Sequence, residues 1–145
     1  IEALVALSHA FLRGAKSGDA LVNVSSTLAF LPPAWAPVYG ATKAFVTSFS
    51  ESLWAQNEAK GIYVMNLCPG ATYTQFHSRA SGGALERQPP KGATQTPEQV
   101  VMIAMRALQK RTEPTVISGG KNRLFSGLSR VLSRKRLARL VAKIN

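Results

Sequence analysis

Tyr39 and Lys43 stand four residues apart near the start of an apparent helix, so their side chains share one face. A neighbouring ammonium favours the phenolate form of a tyrosine. A tyrosine in that setting can donate a proton to a carbonyl oxygen or remove one from an alcohol. Ser26 lies thirteen residues before Tyr39, and its hydroxyl can hydrogen-bond the same substrate oxygen and stabilise its developing charge. The three residues predict a site for proton exchange on a carbonyl or alcohol oxygen.

The flanking segments strengthen this prediction, because a tyrosine and a lysine at this spacing also arise by chance in many helices. The alternative is a surface lysine beside a half-buried tyrosine. Here the pair lies within Tyr39-Gly40-Ala41-Thr42-Lys43-Ala44, after an apparent strand that ends in Asn23-Val24-Ser25-Ser26. Asn66-Leu67-Cys68-Pro69-Gly70 ends the next apparent strand. The whole set therefore favours a functional site over a chance match.

The elements that must position these residues follow from the spacing of apolar residues, prolines and glycines. Of the 145 residues, 46% are hydrophobic, which is enough for a core. Thr96, Pro97 and Gln99 predict a capped helix start, with Val100, Val101, Ala104, Met105 and Leu108 turned inward. The predicted helices are 2–16, 38–60, 97–110 and one or two within 121–144, and the predicted strands are 20–25, 62–67 and 114–118. This alternation predicts an α/β fold with a parallel sheet.

The order and spacing of these segments resemble the short-chain dehydrogenase/reductase family over nearly the whole chain. The resemblance implies the C-terminal part of a doubly wound Rossmann-type parallel sheet with helices on both faces. It also implies that Tyr39 is the catalytic acid and base and that Ser26 orients the substrate oxygen. Lys43 then tunes the tyrosine and binds the nicotinamide ribose. The implied activity is hydride exchange between NAD(P)(H) and a carbonyl or alcohol.

The same resemblance assigns cofactor contacts after the second predicted strand. Pro69 and Gly70 match the segment beside the nicotinamide, and Thr72 and Thr74 match positions near the carboxamide. Thr72 stands where the family more often has Val or Ile, so its backbone contact is the part that carries over. The family's Gly-rich pyrophosphate turn does not occur here. We therefore expect an N-terminal half outside this chain, no turnover by the chain alone, and NADP or NAD as cofactor, with NADP favoured.

An uncharged loop from Leu28 to Val38 separates Ser26 from Tyr39 and carries aromatic residues such as Trp35. The resemblance implies that this loop lines the substrate pocket. It predicts an apolar, lipid-like substrate, such as a fatty acyl chain or a steroid ketone, with Leu28 and Trp35 among the contacts. The alternative is a rigid loop that packs in the core or on a partner subunit. The stretch 71–96 is expected to form a substrate lid.

The C-terminal tail, residues 121–145, is separated from the predicted catalytic part, residues 1–120, by its charge. The net charge of the chain is +11, and the tail holds eight basic residues and no acid. Its aliphatic residues recur at helical spacing. This pattern fits a helix on a membrane surface, a cationic rim for acyl-CoA phosphates, or a terminal helix that docks on the sheet with its basic face solvated. Nucleic-acid binding ranks last, because the apolar residues between the basic ones are, apart from Phe125, aliphatic and not aromatic stacking groups.

Two other functional classes stay open: a non-catalytic scaffold that retains the fold, and a sugar-nucleotide epimerase of the extended type. A homodimer or homotetramer is expected through helices 2–16 and 38–60. The expected location is cytoplasmic, with peripheral membrane contact by the tail. Cys68 is the single cysteine, so no internal disulfide forms. It has no second cysteine for a metal or redox motif, and no metal site is predicted.

Overall fold

The computed structural model describes residues 1–76, Arg79 and residues 94–143. Within these ranges the chain forms a three-stranded parallel sheet in the order β1-β2-β3. The register pairs Val22 with Met65 and Leu67 with Val116. The strands are β1 (Ala20–Val24), β2 (Tyr63–Cys68) and β3 (Thr115–Ile117). Each strand follows the previous one through a helical connection, as expected for a parallel sheet.

The helices lie where the sequence pattern predicts them, and no end is displaced by more than three residues. The predicted helix 38–60 is an α-helix followed by one 3-10 turn, Glu58–Lys60, which ends at Gly61 in the left-handed region at φ 70°. Most of the predicted lid lies outside the described residues. The helices are α1 (Glu2–Gly14), α2 (Pro37–Asn57), α3 (Pro97–Lys110), α4 (Gly120–Val131) and α5 (Arg134–Ala142).

Helices cover both faces of the sheet, as predicted. Alternate side chains of a strand point to opposite faces. Tyr63, Met65 and Leu67 of β2 form an apolar cluster with α3 and β3. The opposite face is more polar: Asn23 of β1 donates a 3.0 Å hydrogen bond to Ser50 of α2. The core of the sheet is therefore apolar towards α3 and hydrogen-bonded towards α2.

Helix α3 begins with the predicted capping box. Gln99 N–H donates to Thr96 Oγ1 at 3.3 Å, and Thr96 N–H donates to Gln99 Oε1 at 3.0 Å. The predicted inward face is only partly right. Val100 and Ala104 are buried and Leu108 is half-buried, but Val101 and Met105 are 58% and 53% exposed. Ile103 and Ala107 pack against the apolar cluster instead. The buried face of α3 therefore extends from Val100 and Ala104 towards Ile103 and Ala107, and not towards Val101 and Met105.

The tail forms a second apolar cluster away from the sheet core. Leu137 and Val141 of α5 are almost fully buried against Leu31, and Leu28 and Phe30 pack on the same cluster. Of the three interpretations of the tail, docking on the sheet does not describe α5, which packs on the loop after Ser26. In the part of the chain that the structure describes, no helix is long and apolar enough to cross a membrane.

Candidate active site

The carboxyl ends of β1 and β2 are joined by backbone hydrogen bonds that continue past the strands. Ser25 N–H donates to Leu67 O at 2.7 Å, and Thr27 N–H donates to Pro69 O at 3.0 Å. The residue between these two donors is Ser26. The predicted substrate-orienting serine and the predicted nicotinamide segment therefore lie side by side at one edge of the sheet, where parallel α/β sheets bind their ligands.

The neighbouring serines, Ser25 and Ser26, have different surroundings. Ser25 Oγ donates to Lys43 O at 2.8 Å and lies 2.9 Å from Thr47 Oγ1, so its hydroxyl holds β1 against α2. Ser26 Oγ accepts a 3.2 Å hydrogen bond from Leu28 N–H at the start of a short 3-10 turn, Thr27–Ala29. Its O–H hydrogen has no role in that bond. Ser26 is therefore the serine whose hydroxyl can still donate to a substrate oxygen.

Lys43 lies near the start of α2, and its side chain reaches back to β1. Its Nζ donates to Val24 O at 3.0 Å and lies 5.7 Å from the centroid of the Tyr39 ring. Burial of the side chain lowers the pKa of Lys43. An ammonium has three N–H donors, and the bond to Val24 uses one of them. The geometry keeps a cation beside Tyr39 with donors left for a ligand.

Tyr39 is half-buried. Its ring lies near Phe76, and the residue after it, Gly40, packs against Pro33. The ring centroid of Tyr39 is 6.0 Å from that of Phe76. The next residue, Gly40, is buried against Pro33: a Cβ at Gly40 would lie 2.6 Å from Pro33 Cδ. Such a distance is not tolerated, so glycine is required there. The close approach fixes the uncharged loop against α2 directly beside Tyr39.

The two predicted substrate contacts lie in different environments. Leu28 is half-buried and packs on the cluster that contains Leu137. Trp35 is exposed in the loop before α2. The structure thus brings Leu28 next to Ser26 and into contact with the tail, while Trp35 remains at the surface of the described part of the protein.

The predicted cofactor segment leaves β2 as an ordered turn. Thr72 Oγ1 donates to Gly70 O at 3.0 Å, and Thr74 Oγ1 accepts from Phe76 N–H at 3.2 Å. Sequence reasoning missed Asn122 of α4, whose amide occupies the space that a Cβ at Gly70 would need. Asn122 is fixed by donating to Ser118 O at 2.7 Å. No local signal indicated this contact, because the two residues are distant in sequence.

Metal chemistry has no support in the described ranges, where no group of three or more His, Cys, Asp or Glu side chains can hold a metal ion. Cys68 is buried and its thiol contacts Thr47 and Asn66. Burial raises the pKa of the Cys68 thiol, so Cys68 is a packing residue at neutral pH. The predicted site residues Ser26, Tyr39 and Lys43 offer two hydroxyls and one ammonium beside the carboxyl ends of β1 and β2. This donor set suits a nicotinamide nucleotide, whose ribose and carboxamide are recognised by hydrogen-bonding groups.

Comparison with known proteins defines the family. Residues 1–83, more than half of the chain, match the profile described as short chain dehydrogenase. The chain therefore belongs to the short-chain dehydrogenase/reductase family of oxidoreductases. The match includes Ser26, Tyr39, Lys43 and the segment after β2.

Individual relatives agree with this assignment and differ in their substrates. The chain is 36% identical over 110 residues to a 7beta-hydroxysteroid dehydrogenase of Mediterraneibacter gnavus, an alignment that covers 75% of the chain and 41% of the relative. It is 36% identical over 86 residues to a sulfoacetaldehyde reductase of Chromohalobacter salexigens, covering 57% of the chain and 34% of the relative. The chain spans less than half the length of these relatives.

A solved structure supports the fold independently. A short-chain dehydrogenase from Sphingobium yanoikuyae in complex with NADPH superposes with a TM-score of 0.58 at 27% identity. The superposition covers 79% of this chain and 46% of that one. The parallel sheet with helices on both faces is therefore the Rossmann-type fold that the sequence predicts.

Proposed function

We propose that the complete protein is an NAD(P)-dependent oxidoreductase that interconverts a carbonyl and an alcohol at Ser26, Tyr39 and Lys43. One observation carries the proposal: the Lys43 ammonium is held 5.7 Å from the Tyr39 ring by Val24 O, beside the strand end that bears Ser26. Membership of the family and the similarity to an enzyme solved with NADPH support a nicotinamide cofactor.

Each residue has one task in the proposed reaction. A bound reduced nicotinamide, held by Lys43 and the segment after β2, would supply the hydride for the carbonyl carbon. Tyr39 gives its phenolic proton to the carbonyl oxygen in the reductive direction and takes it back in the oxidative direction. Ser26 donates a hydrogen bond to the same oxygen and stabilises its developing negative charge. Lys43 places its charge beside the Tyr39 ring and offers its remaining donors to the cofactor ribose. Pro69, Gly70, Thr72 and Thr74 provide the neighbouring surface for the nicotinamide.

The proposal is tested with Tyr39→Phe in the complete protein. We expect kcat to fall about 100- to 10,000-fold, because the general acid is lost, while the circular dichroism spectrum is unchanged. Tyr63→Phe is the matched control: its hydroxyl donates to Glu113 O at 2.6 Å at the opposite end of β2, so kcat should stay near the wild-type value. Full activity of Tyr39→Phe would refute the assigned mechanism.

We propose an apolar, lipid-like substrate. The loop between Ser26 and Tyr39 has no charged residue, and its leucines continue into an apolar cluster. Similarity to a hydroxysteroid dehydrogenase agrees with this class. Similarity to sulfoacetaldehyde reductase favours a second candidate, a small polar aldehyde. Steady-state kinetics with matched steroid ketones and small polar aldehydes separate the two. A higher kcat/KM for the polar set would overturn the lipid proposal.

We also propose that α1 and α2 form a contact between subunits of a homo-oligomer. Both helices expose large apolar side chains, among them Leu7, Phe11 and Phe45. Large exposed apolar surface often marks an interface between proteins. Light scattering of the complete protein tests the proposal: Leu7→Arg should lower the measured mass, and an unchanged mass would count against this interface.

A further inference from the structure

Helix α4 is amphipathic in an unexpected sense, because it buries a polar face. Ser126 is buried, and Asn122 and Ser129, four residues before and three after it, are half-buried. The opposite face carries Leu124 and Val131, which are 77% and 83% exposed. A surface helix normally turns its apolar stripe inward. Transfer of the exposed apolar stripe of α4 out of water would therefore lower the free energy.

Helix α5 packs against α4 through Leu128 and adds a dense positive charge to the tail. Its inward side is Leu137 and Val141, and its exposed side carries Lys135, Arg136 and Arg139. Two exposed arginines, Arg130 at the end of α4 and Arg134 at the start of α5, lie on either side of Val131 in the sequence. No acidic residue follows Glu113. The exposed side chains of the two helices, defined here as the tail surface, are thus apolar or cationic.

We propose that the tail surface docks on an anionic lipid bilayer, with Leu124 and Val131 inserted at the headgroup boundary and the basic side chains on the lipid phosphates. Aliphatic insertion and attraction to anionic lipid act together in helices of this type. A second copy of the chain is a poor occupant, because a twofold interface would bring two sets of these cations together. A lipid surface supplies both the apolar phase and the opposite charge.

The position of the tail surface is consistent with a membrane-facing site. The residues that anchor α5, Leu137 and Val141, contact Leu31 in the loop that follows Ser26. The helix that would lie on lipid is therefore in direct contact with the wall of the candidate active site. The docking proposal does not depend on the proposed reaction, since it rests on exposure and charge alone.

The test is co-sedimentation of the complete protein with vesicles of phosphatidylcholine, with and without phosphatidylserine. We expect binding only to the anionic vesicles, weakened by added salt. Leu124→Ser/Val131→Ser should reduce partitioning on the order of tenfold, because the two most exposed large apolar side chains of the tail surface are removed. Arg134→Gln/Lys135→Gln should reduce it about 30-fold, since two cations near the lipid surface are removed.

Val101→Ser/Met105→Ser is the matched control, because it removes a pair of exposed apolar side chains from α3. This control should bind like the wild type. Equal binding of neutral and anionic vesicles, no binding at all, or wild-type binding by both tail variants would overturn the proposal. A fall in molecular mass of Leu124→Ser/Val131→Ser in light scattering would also overturn it, since a second copy would then cover the stripe. Circular dichroism verifies that each variant is folded.

Discussion

Leu137→Ala tests whether the tail holds the loop beside the candidate active site. Leu137 is fully buried in the cluster with Leu31 and Val141. Truncation of a buried leucine to alanine costs about 2–5 kcal/mol, depending on how far the neighbours relax into the cavity. Here Leu128 and Leu132 are only half-buried and can move inward. We therefore expect a value at the lower end, about 2–3 kcal/mol.

Hydrogen exchange measured by mass spectrometry reports this loss locally. The amides of α5, such as Leu137 N–H bonded to Ser133 O at 2.9 Å, exchange when the helix undocks. A loss of 2–3 kcal/mol raises the opening equilibrium roughly 30- to 150-fold. Amides of the Thr27–Ala29 turn region, including Phe30 N–H bonded to Thr27 O, should accelerate as well. The amides of β2 should keep their rates.

Leu124→Ala is the control, since it makes the same chemical change in the same tail at an exposed position. Its exchange rates in α5 and in the loop should match those of the wild type. Docking of α5 on the loop is refuted if Leu137→Ala raises the amide exchange rates of α5 by less than about threefold, or if the exchange rates of the loop amides do not rise with them.

Three further predictions follow from single side chains. Cys68 should resist alkylation in the folded protein and react fully in urea, because burial raises the pKa of its thiol; rapid labelling of the native protein would contradict this. Thr96→Ala should lower the free energy of unfolding by about 0.5–2 kcal/mol through loss of the α3 cap; urea unfolding with an unchanged midpoint would disprove the contribution. Burial lowers the pKa of Lys43, so the unfolded chain binds that proton more tightly and the wild type should gain stability relative to Lys43→Met as pH rises from neutrality towards the ordinary lysine value. Urea unfolding of both proteins at several pH values measures the difference, and a constant difference would exclude the effect.

Local sequence signals predicted the elements well because each signal acts over a few residues. The Thr96 and Gln99 pair forms its hydrogen bonds within one turn, and Gly61 ends a helix because it adopts a positive φ. Such contacts need no knowledge of the rest of the fold. The choice of inward residues on α3 was less accurate. Val101 and Met105 are as apolar as their neighbours, and only the direction of the sheet selects which side is buried.

In the candidate site, too, some features follow from the sequence and others only from packing. The spacing of Ser26, Tyr39 and Lys43 follows from sequence, because it reflects one strand, one loop and one helical turn. Their roles remain predictions. The partner of the Lys43 ammonium, Val24 O, and the division of labour between Ser25 and Ser26 are set by how α2 lies against β1. Sequence spacing does not encode that packing.

The sequence by itself determined the family, the order of strands and helices, and the positive charge of the tail. Tertiary structure alone decided where the tail goes. Leu137 and Val141 look equally suited to dock on the sheet, but they bury themselves against Leu31, and α4 leaves Leu124 and Val131 in solvent. The physical reason is that hydrophobic burial is non-directional: it requires an apolar helix face to be covered, and only the three-dimensional arrangement determines which surface covers it.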